Sequence, residues 1–109
     1  MMATLARLAV VTAASGALFG CTSDKAAQAS EARWHDGRPM GVLDGVPTSI
    51  KDLILTRGWP TLRGSRSVDA KQAWDVDAPA TARLREAGAV LLGKTTTPEF
   101  GCKGETNSP

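Results

Sequence analysis

The chain has 109 residues, of which 42% are hydrophobic and 22% charged, and its formal net charge is +2. This length allows at most one small globular domain, and the scattered Lys and Arg residues do not indicate nucleic-acid binding. Two cysteines, Cys21 and Cys102, and one histidine, His35, provide neither a disulfide framework nor zinc-ligand spacing, so a cytoplasmic protein with free thiols is the simplest interpretation.

The first segment, residues 1–22, has two interpretations. Its small, apolar run is typical of a secretory signal, and residues 18–21 resemble a bacterial lipobox in which Cys21 would carry the lipid. The chain would then be a small lipid-anchored binding protein of the cell envelope, held at the membrane only through Cys21. In the other interpretation residues 16–23 already belong to the folded domain, and the family resemblance described below implies a strand at residues 17–19.

The next segment, residues 23–34, is predicted to form a helix. Ser23 or Thr22 can cap its first turn, and Gly37 provides a stop. We expect Trp34 to pack against the domain. His35 falls at the exposed helix end, where a lone histidine is a weak catalytic candidate.

The segment 46–54 is predicted to be a strand, because apolar and β-branched residues alternate there with other residues. This alternation places Ser49 and Lys51 on the same face of the strand. Lysine is rarely buried unless it is paired or functional. Lys51 is therefore either a surface lysine on a half-buried strand or a functional group.

The second half of the chain reads as loop, helix and strand. Polar residues follow Trp59, which is either a packing residue or part of a substrate-facing wall. Residues 77–87 are predicted to be a helix capped by Asp77 and ended by Gly88. A buried strand follows at 89–92, so the chain is predicted to contain half of an α/β unit.

Residues 88–95 satisfy the Walker A pattern, but we do not interpret them as a nucleotide-binding loop. Such a loop needs a strand before its first glycine and a helix that opens at the Lys and Thr. Here a predicted helix comes before Gly88, and strand-forming residues fill the middle. Lys94 and Thr95 are therefore expected at a strand end, where α/β proteins place ligands.

Five segments, in order, carry a resemblance to a known family. They are residues 45–52 (Gly-Val-Pro-Thr-Ser-Ile-Lys-Asp), 60–65, 77–84, 88–95 and 98–101. Together they resemble the amidase signature family, the Ser-cisSer-Lys hydrolases, from about residue 26 to residue 109. The resemblance implies an α/β fold in which a mixed central sheet is covered by helices. Since that fold is far larger than this chain, we expect residues 23–109 to be an incomplete, N-terminal part of an amidase domain.

The resemblance also implies hydrolysis of carbon–nitrogen bonds in a small-molecule amide, without a metal or organic cofactor. Lys51 would be the one member of the triad in this chain, and it would remove a proton from a bridging serine. A lysine acts as a base only when it is neutral, and burial favours the neutral form. We therefore expect Lys51 to lie buried in its strand.

Both serines of that triad are absent from these residues, so the chain alone is expected to be inactive. We do not assign Ser49 as the nucleophile, because it lacks the Ser-x-x-Lys spacing of the β-lactamase class. Asp52 is expected to be structural, and Cys102 is expected to be a core thiol or a pocket residue. The A subunit of glutamyl-tRNA amidotransferase shares these motifs and remains an alternative function. The sequence leaves the oligomeric state open.

Overall fold

The computed structural model describes the backbone of residues 18–107 and the side chains of residues 22–107. In chain order the elements are helix α1 (Leu18–His35), strand β1 (Pro47–Lys51), helix α2 (Pro79–Glu86), strand β2 (Val90–Thr95) and a short 3-10 turn (Glu99–Gly101). The α/β fold class predicted from the sequence is confirmed. Both strands differ from their predicted bounds by a few residues at one or both ends, as is usual for sequence-based boundaries.

The two strands pair in parallel, with α2 in the connection between them. Ile50 pairs with Lys94 and Lys51 with Thr95, after an irregularity in register between Thr48 and Ser49. Since the strands are parallel, their carboxyl ends meet at one edge of the sheet. The segments that follow Lys51 and Thr95 therefore start side by side.

The hydrophobic core lies on one face of this sheet. Ile50, Trp59 and Leu91 are buried together, and Ile54 and Leu84 pack against them. Trp59 is thus a packing residue, which resolves the alternative left open by the sequence. Helix α1 lies against β2, where the Ser23 hydroxyl donates to the Leu91 carbonyl at 3.0 Å.

Helix α1 begins earlier than the sequence predicted. Ser23 lies inside the helix, so its predicted role as a cap is wrong, and Leu18 and Phe19 are helical rather than part of a strand. The end of the helix is as predicted: Gly37 adopts a φ of 67°, and its N–H bonds back to the Trp34 carbonyl. Such a left-handed residue favours glycine and ends a helix.

Helix α2 is preceded by Ala78, which makes no side-chain cap. The predicted capping role of Asp77 is therefore wrong. Asp77 instead accepts a hydrogen bond from the Arg57 N–H at 2.7 Å and pairs with Arg85 at 3.0 Å. The helix ends as predicted before Gly88, which has a φ of 87°.

Residues 88–95 do not form a nucleotide-binding loop. Val90–Thr95 is a strand that includes both Lys94 and Thr95, and the element before Gly88 is a helix. A phosphate-binding loop requires the opposite order, so the sequence-based rejection is confirmed.

Candidate active site

Lys51 is the last residue of β1 and projects from its exposed face. Ser49 is exposed on the same strand, and Ile50 between them is 3% exposed, so the predicted alternation is confirmed. The Lys51 carbonyl accepts a hydrogen bond from the Ile54 N–H at 3.0 Å. The strand therefore passes into a tight turn directly after Lys51.

The expected burial of Lys51 is wrong for the residues described, because its side chain is exposed. The reason lies in the architecture of the sheet. The core residues Trp59 and Leu91 gather with Ile50 on one face, and alternation turns Lys51 to the other. Any desolvation of Lys51 must come from structure outside residues 22–107.

Asp52 has the structural role predicted for it. Its N–H donates to the Thr95 carbonyl at 3.0 Å, and its carboxylate accepts from the Leu62 N–H at 3.2 Å. It also lies 3.6 Å from the Lys94 ammonium. Asp52 thus joins the ends of both strands to the loop that follows β1.

Lys94 is the residue whose environment sequence reasoning missed. Its side chain is 14% exposed, and its ammonium donates to the Ile54 carbonyl at 2.6 Å and to the Thr61 hydroxyl at 2.8 Å. Burial lowers the pKa of Lys94, while the Asp52 carboxylate acts in the opposite direction. The sequence placed Lys94 near a strand end but gave no sign of which loop atoms it would contact.

A cavity of about 460 Å³ opens beside Asp52 at the carboxyl edge of the sheet. Its polar lining includes Ser65, Arg66, Thr96 and Thr97, and Lys51 does not contribute to it. The Ser65 hydroxyl donates to the Glu99 carboxylate at 2.6 Å, which fixes the loop wall against the 3-10 turn. The cavity and the Lys51 side chain are thus separate features of the same sheet edge.

The other candidates from the sequence have minor roles. His35 is exposed at the end of α1, as predicted. Cys102 is a free, exposed thiol beside a small surface pocket, so the alternative of a core thiol is wrong. Within residues 18–107, no group of three or more His, Cys, Asp and Glu side chains is arranged to hold a metal ion.

Comparison with known proteins identifies the family. The family model described as Amidase matches residues 1–109. The chain belongs to the amidase family. The resemblance carried by the lysine motif and the four other segments is thereby confirmed.

Relatives within the amidase family are similar over most of this chain. The glutamyl-tRNA(Gln) amidotransferase A subunit of Anaeromyxobacter sp. (strain K) is 39% identical over 90% of this chain and 20% of its own length. The protein of the same name from Thermobifida fusca is 38% identical over 97% of this chain and 22% of its own. The mitochondrial counterpart from Ixodes scapularis is 44% identical over 79% and 17%. The chain thus spans about a fifth of the length of these relatives.

Solved structures agree on the fold of the amidase family. A crystal structure of an amidase matches 73% of this chain and 18% of its own, with a TM-score of 0.64 at 35% identity. A protein from a vestigial complex related to the origins of an s-triazine catabolic enzyme gives 0.66 at 34% identity, over 72% and 17%. The two helices and two parallel strands are therefore part of the amidase-signature fold.

The family match bears on the first segment. It includes residues 1–22, so the lipoprotein hypothesis for Cys21 gains no support from it. The backbone places Cys21 inside α1, while the signal-like residues 1–17 lie outside the described residues. Among the described residues, no helix is long and apolar enough to cross a membrane.

Proposed function

We propose that this chain is part of an amidase that hydrolyses the carbon–nitrogen bond of a small linear amide, with Lys51 as its catalytic base. The observation that carries the proposal is the position of Lys51. It is the last residue of a strand in a parallel pair, within a chain of the amidase family. Carboxyl ends of parallel strands are where α/β proteins bind ligands.

In the proposed reaction, neutral Lys51 accepts a proton from a bridging serine, which takes one from the nucleophilic serine. The serine oxygen then attacks the amide carbonyl, and an acyl-enzyme forms and is hydrolysed. Backbone N–H groups would stabilise the oxyanion. Neither serine is assigned to the described residues, and no cofactor takes part.

The exposed Lys51 sets a requirement on this proposal. In water an ammonium is strongly favoured at neutral pH, so the face that carries Ser49 and Lys51 must be covered in the active enzyme. Such a cover would come from structure outside residues 22–107. A cytoplasmic location is part of the same proposal and rests on the cysteine usage of the chain.

The experiment is ammonia release from aliphatic carboxamides by the polypeptide of the complete reading frame that encodes these residues. Lys51→Ala is expected to lower kcat by roughly a hundredfold or more, since it removes the base. Lys71→Ala, which removes an exposed lysine from a loop, is the matched control and should leave the rate unchanged. Full activity in Lys51→Ala would refute the role of Lys51.

A second candidate function is that of the A subunit in a glutamyl-tRNA(Gln) amidotransferase. The observation in its favour is the 38–44% identity to proteins of that name. This candidate requires further subunits, so genes for them beside this one would support it. The deciding assay is amidation of glutamyl-tRNA(Gln) with glutamine as nitrogen donor. Amide hydrolysis without any such transfer would favour the first candidate.

A further inference from the structure

Lys94 holds the loop that follows Lys51 from the opposite side of the sheet. Its ammonium makes two short hydrogen bonds, to the Ile54 carbonyl at 2.6 Å and to the Thr61 hydroxyl at 2.8 Å. The Thr56 hydroxyl at 3.5 Å and the Asp52 carboxylate at 3.6 Å complete its surroundings. An ammonium has three donors, so these four oxygens account for its hydrogen-bonding capacity.

Ile54 connects this ammonium to Lys51. The Ile54 carbonyl accepts from Lys94, and the Ile54 N–H donates to the Lys51 carbonyl at 3.0 Å. Both backbone polar groups of Ile54, the last residue of this turn, are therefore hydrogen-bonded. Asp52, inside the turn, is fixed to β2 by its N–H bond to the Thr95 carbonyl.

The strand register places the two lysines on opposite faces. Lys94 pairs with the buried Ile50, while Lys51 pairs with Thr95. Neighbouring residues of a strand point to opposite sides, so the Lys94 ammonium reaches the loop from the core face. The hydrogen bonds of the described residues therefore link Lys94 to Lys51 through the backbone of the turn.

We propose that Lys94 is a positioning residue for Lys51, and that it fixes the turn from which the Lys51 side chain projects. The importance of this for catalysis rests on the proposed function, but the positioning itself does not. The Lys94 ammonium donates to the Ile54 carbonyl, and the Ile54 N–H donates to the Lys51 carbonyl, so Ile54 links the two lysines. The Ile54 carbonyl also accepts from the Thr56 hydroxyl at 3.2 Å and from the Thr61 hydroxyl at 3.3 Å. Loss of the ammonium therefore removes the shortest of its hydrogen bonds, which is also charge-assisted, and loosens the turn.

The test measures the reactivity of Lys51 itself in the polypeptide of the complete reading frame that encodes these residues. Trace acetylation with acetic anhydride over a range of pH, read by mass spectrometry, gives a rate for each lysine amine. Lys94→Met is expected to change the rate at Lys51, relative to Lys25 in the same molecule, by about threefold or more. Lys71→Met, which removes an exposed lysine, is the control and should leave that ratio unchanged.

A second variant protects the test against a failure to fold. Thr61→Val removes one acceptor of the Lys94 ammonium and the hydroxyl's own 3.3 Å hydrogen bond to the Ile54 carbonyl, while it keeps the shape of the side chain and the charge of the chain. It should change the Lys51 ratio in the same direction but less. Because Lys94→Met also removes a positive charge near Lys51 and Thr61→Val does not, an unchanged Lys51 ratio in either variant, when folded, would overturn the proposal. Since no amide is hydrolysed in this assay, a failure of the proposed catalytic role of Lys51 would not affect its result.

Discussion

At the scale of single residues, the pair of Arg33 and Asp44 ties α1 to the loop before β1. The guanidinium donates to the two carboxylate oxygens at 2.8 and 2.6 Å, and the Met40 N–H donates to one of them at 2.8 Å. The Asp44 side chain is fully enclosed. The hydrogen bonds from Arg33 hold the pKa of Asp44 well below its usual range.

This pair predicts a dependence of stability on pH. A carboxylate whose pKa is lower in the folded state stabilises the fold fully above its unfolded pKa of about 4, and this contribution is lost as the pH falls below that value. Asp44→Asn is therefore expected to lower the thermal midpoint at pH 7 by roughly 5–10 °C and to flatten the decline in stability between about pH 5 and pH 2. Thermal unfolding followed by circular dichroism across this range measures both effects.

The control for this prediction is Asp75→Asn, which removes an exposed carboxylate from a loop. It should change neither the midpoint at pH 7 nor the acid limb of the curve by more than a small amount. Equal effects of the two substitutions would mean that Asp44 contributes only as a surface charge.

At the scale of elements, β2 offers a matched pair of leucines. Leu91 is 6% exposed and packs with Ile50 and Trp59, whereas the next residue, Leu92, is 52% exposed. Leu91→Ala leaves a cavity in the core and is expected to cost about 2–5 kcal/mol of unfolding free energy, against less than about 1 kcal/mol for Leu92→Ala. Urea denaturation of the two variants measures these losses of unfolding free energy, and equal losses would contradict the orientation of β2.

Helix ends that depend on backbone conformation could be predicted from the sequence. Gly37 and Gly88 both adopt positive φ after a helix, and glycine is the residue that tolerates this. The predicted starts of the two helices were wrong, because the polar side chains expected to cap them form hydrogen bonds with distant residues instead. Ser23 donates to the Leu91 carbonyl, and Asp77 pairs with Arg85 and the Arg57 N–H, and local sequence does not reveal such distant partners.

In the candidate site, too, local features could be predicted from the sequence, whereas long-range contacts could not. Its motif placed Lys51 on the same strand face as Ser49, because alternation is a local property. The predicted strand ran on to residue 54, whereas β1 ends at Lys51. Burial of Lys51 and the contacts of Lys94 could not be predicted in this way. Both depend on how a loop and the faces of the sheet are covered, which is set by residues far apart in the chain.

At the largest scale, that of the sheet and its surroundings within residues 22–107, the strands have less cover than parallel strands normally receive. Parallel sheets are almost always packed on both faces. Here the core lies on the face of Ile50 and Leu91, whereas Leu92 in β2 is 52% exposed. Outside the strands, Val46 and Phe100 are 41% and 51% exposed. Among the described residues, apolar surface is thus left exposed on and beside the sheet.

This uncovered surface predicts self-association of the chain. The purified 109-residue chain should increase the fluorescence of the dye ANS and should sediment above its monomer mass of 11.4 kDa at micromolar concentration. Leu92→Glu places a charge on the uncovered strand and should lower both signals. Val42→Glu is the control, because Val42 is 93% exposed in the loop before β1, outside both strands. A monomer without dye binding, or an equal response of the two variants, would show that the exposed strand face is not what drives association.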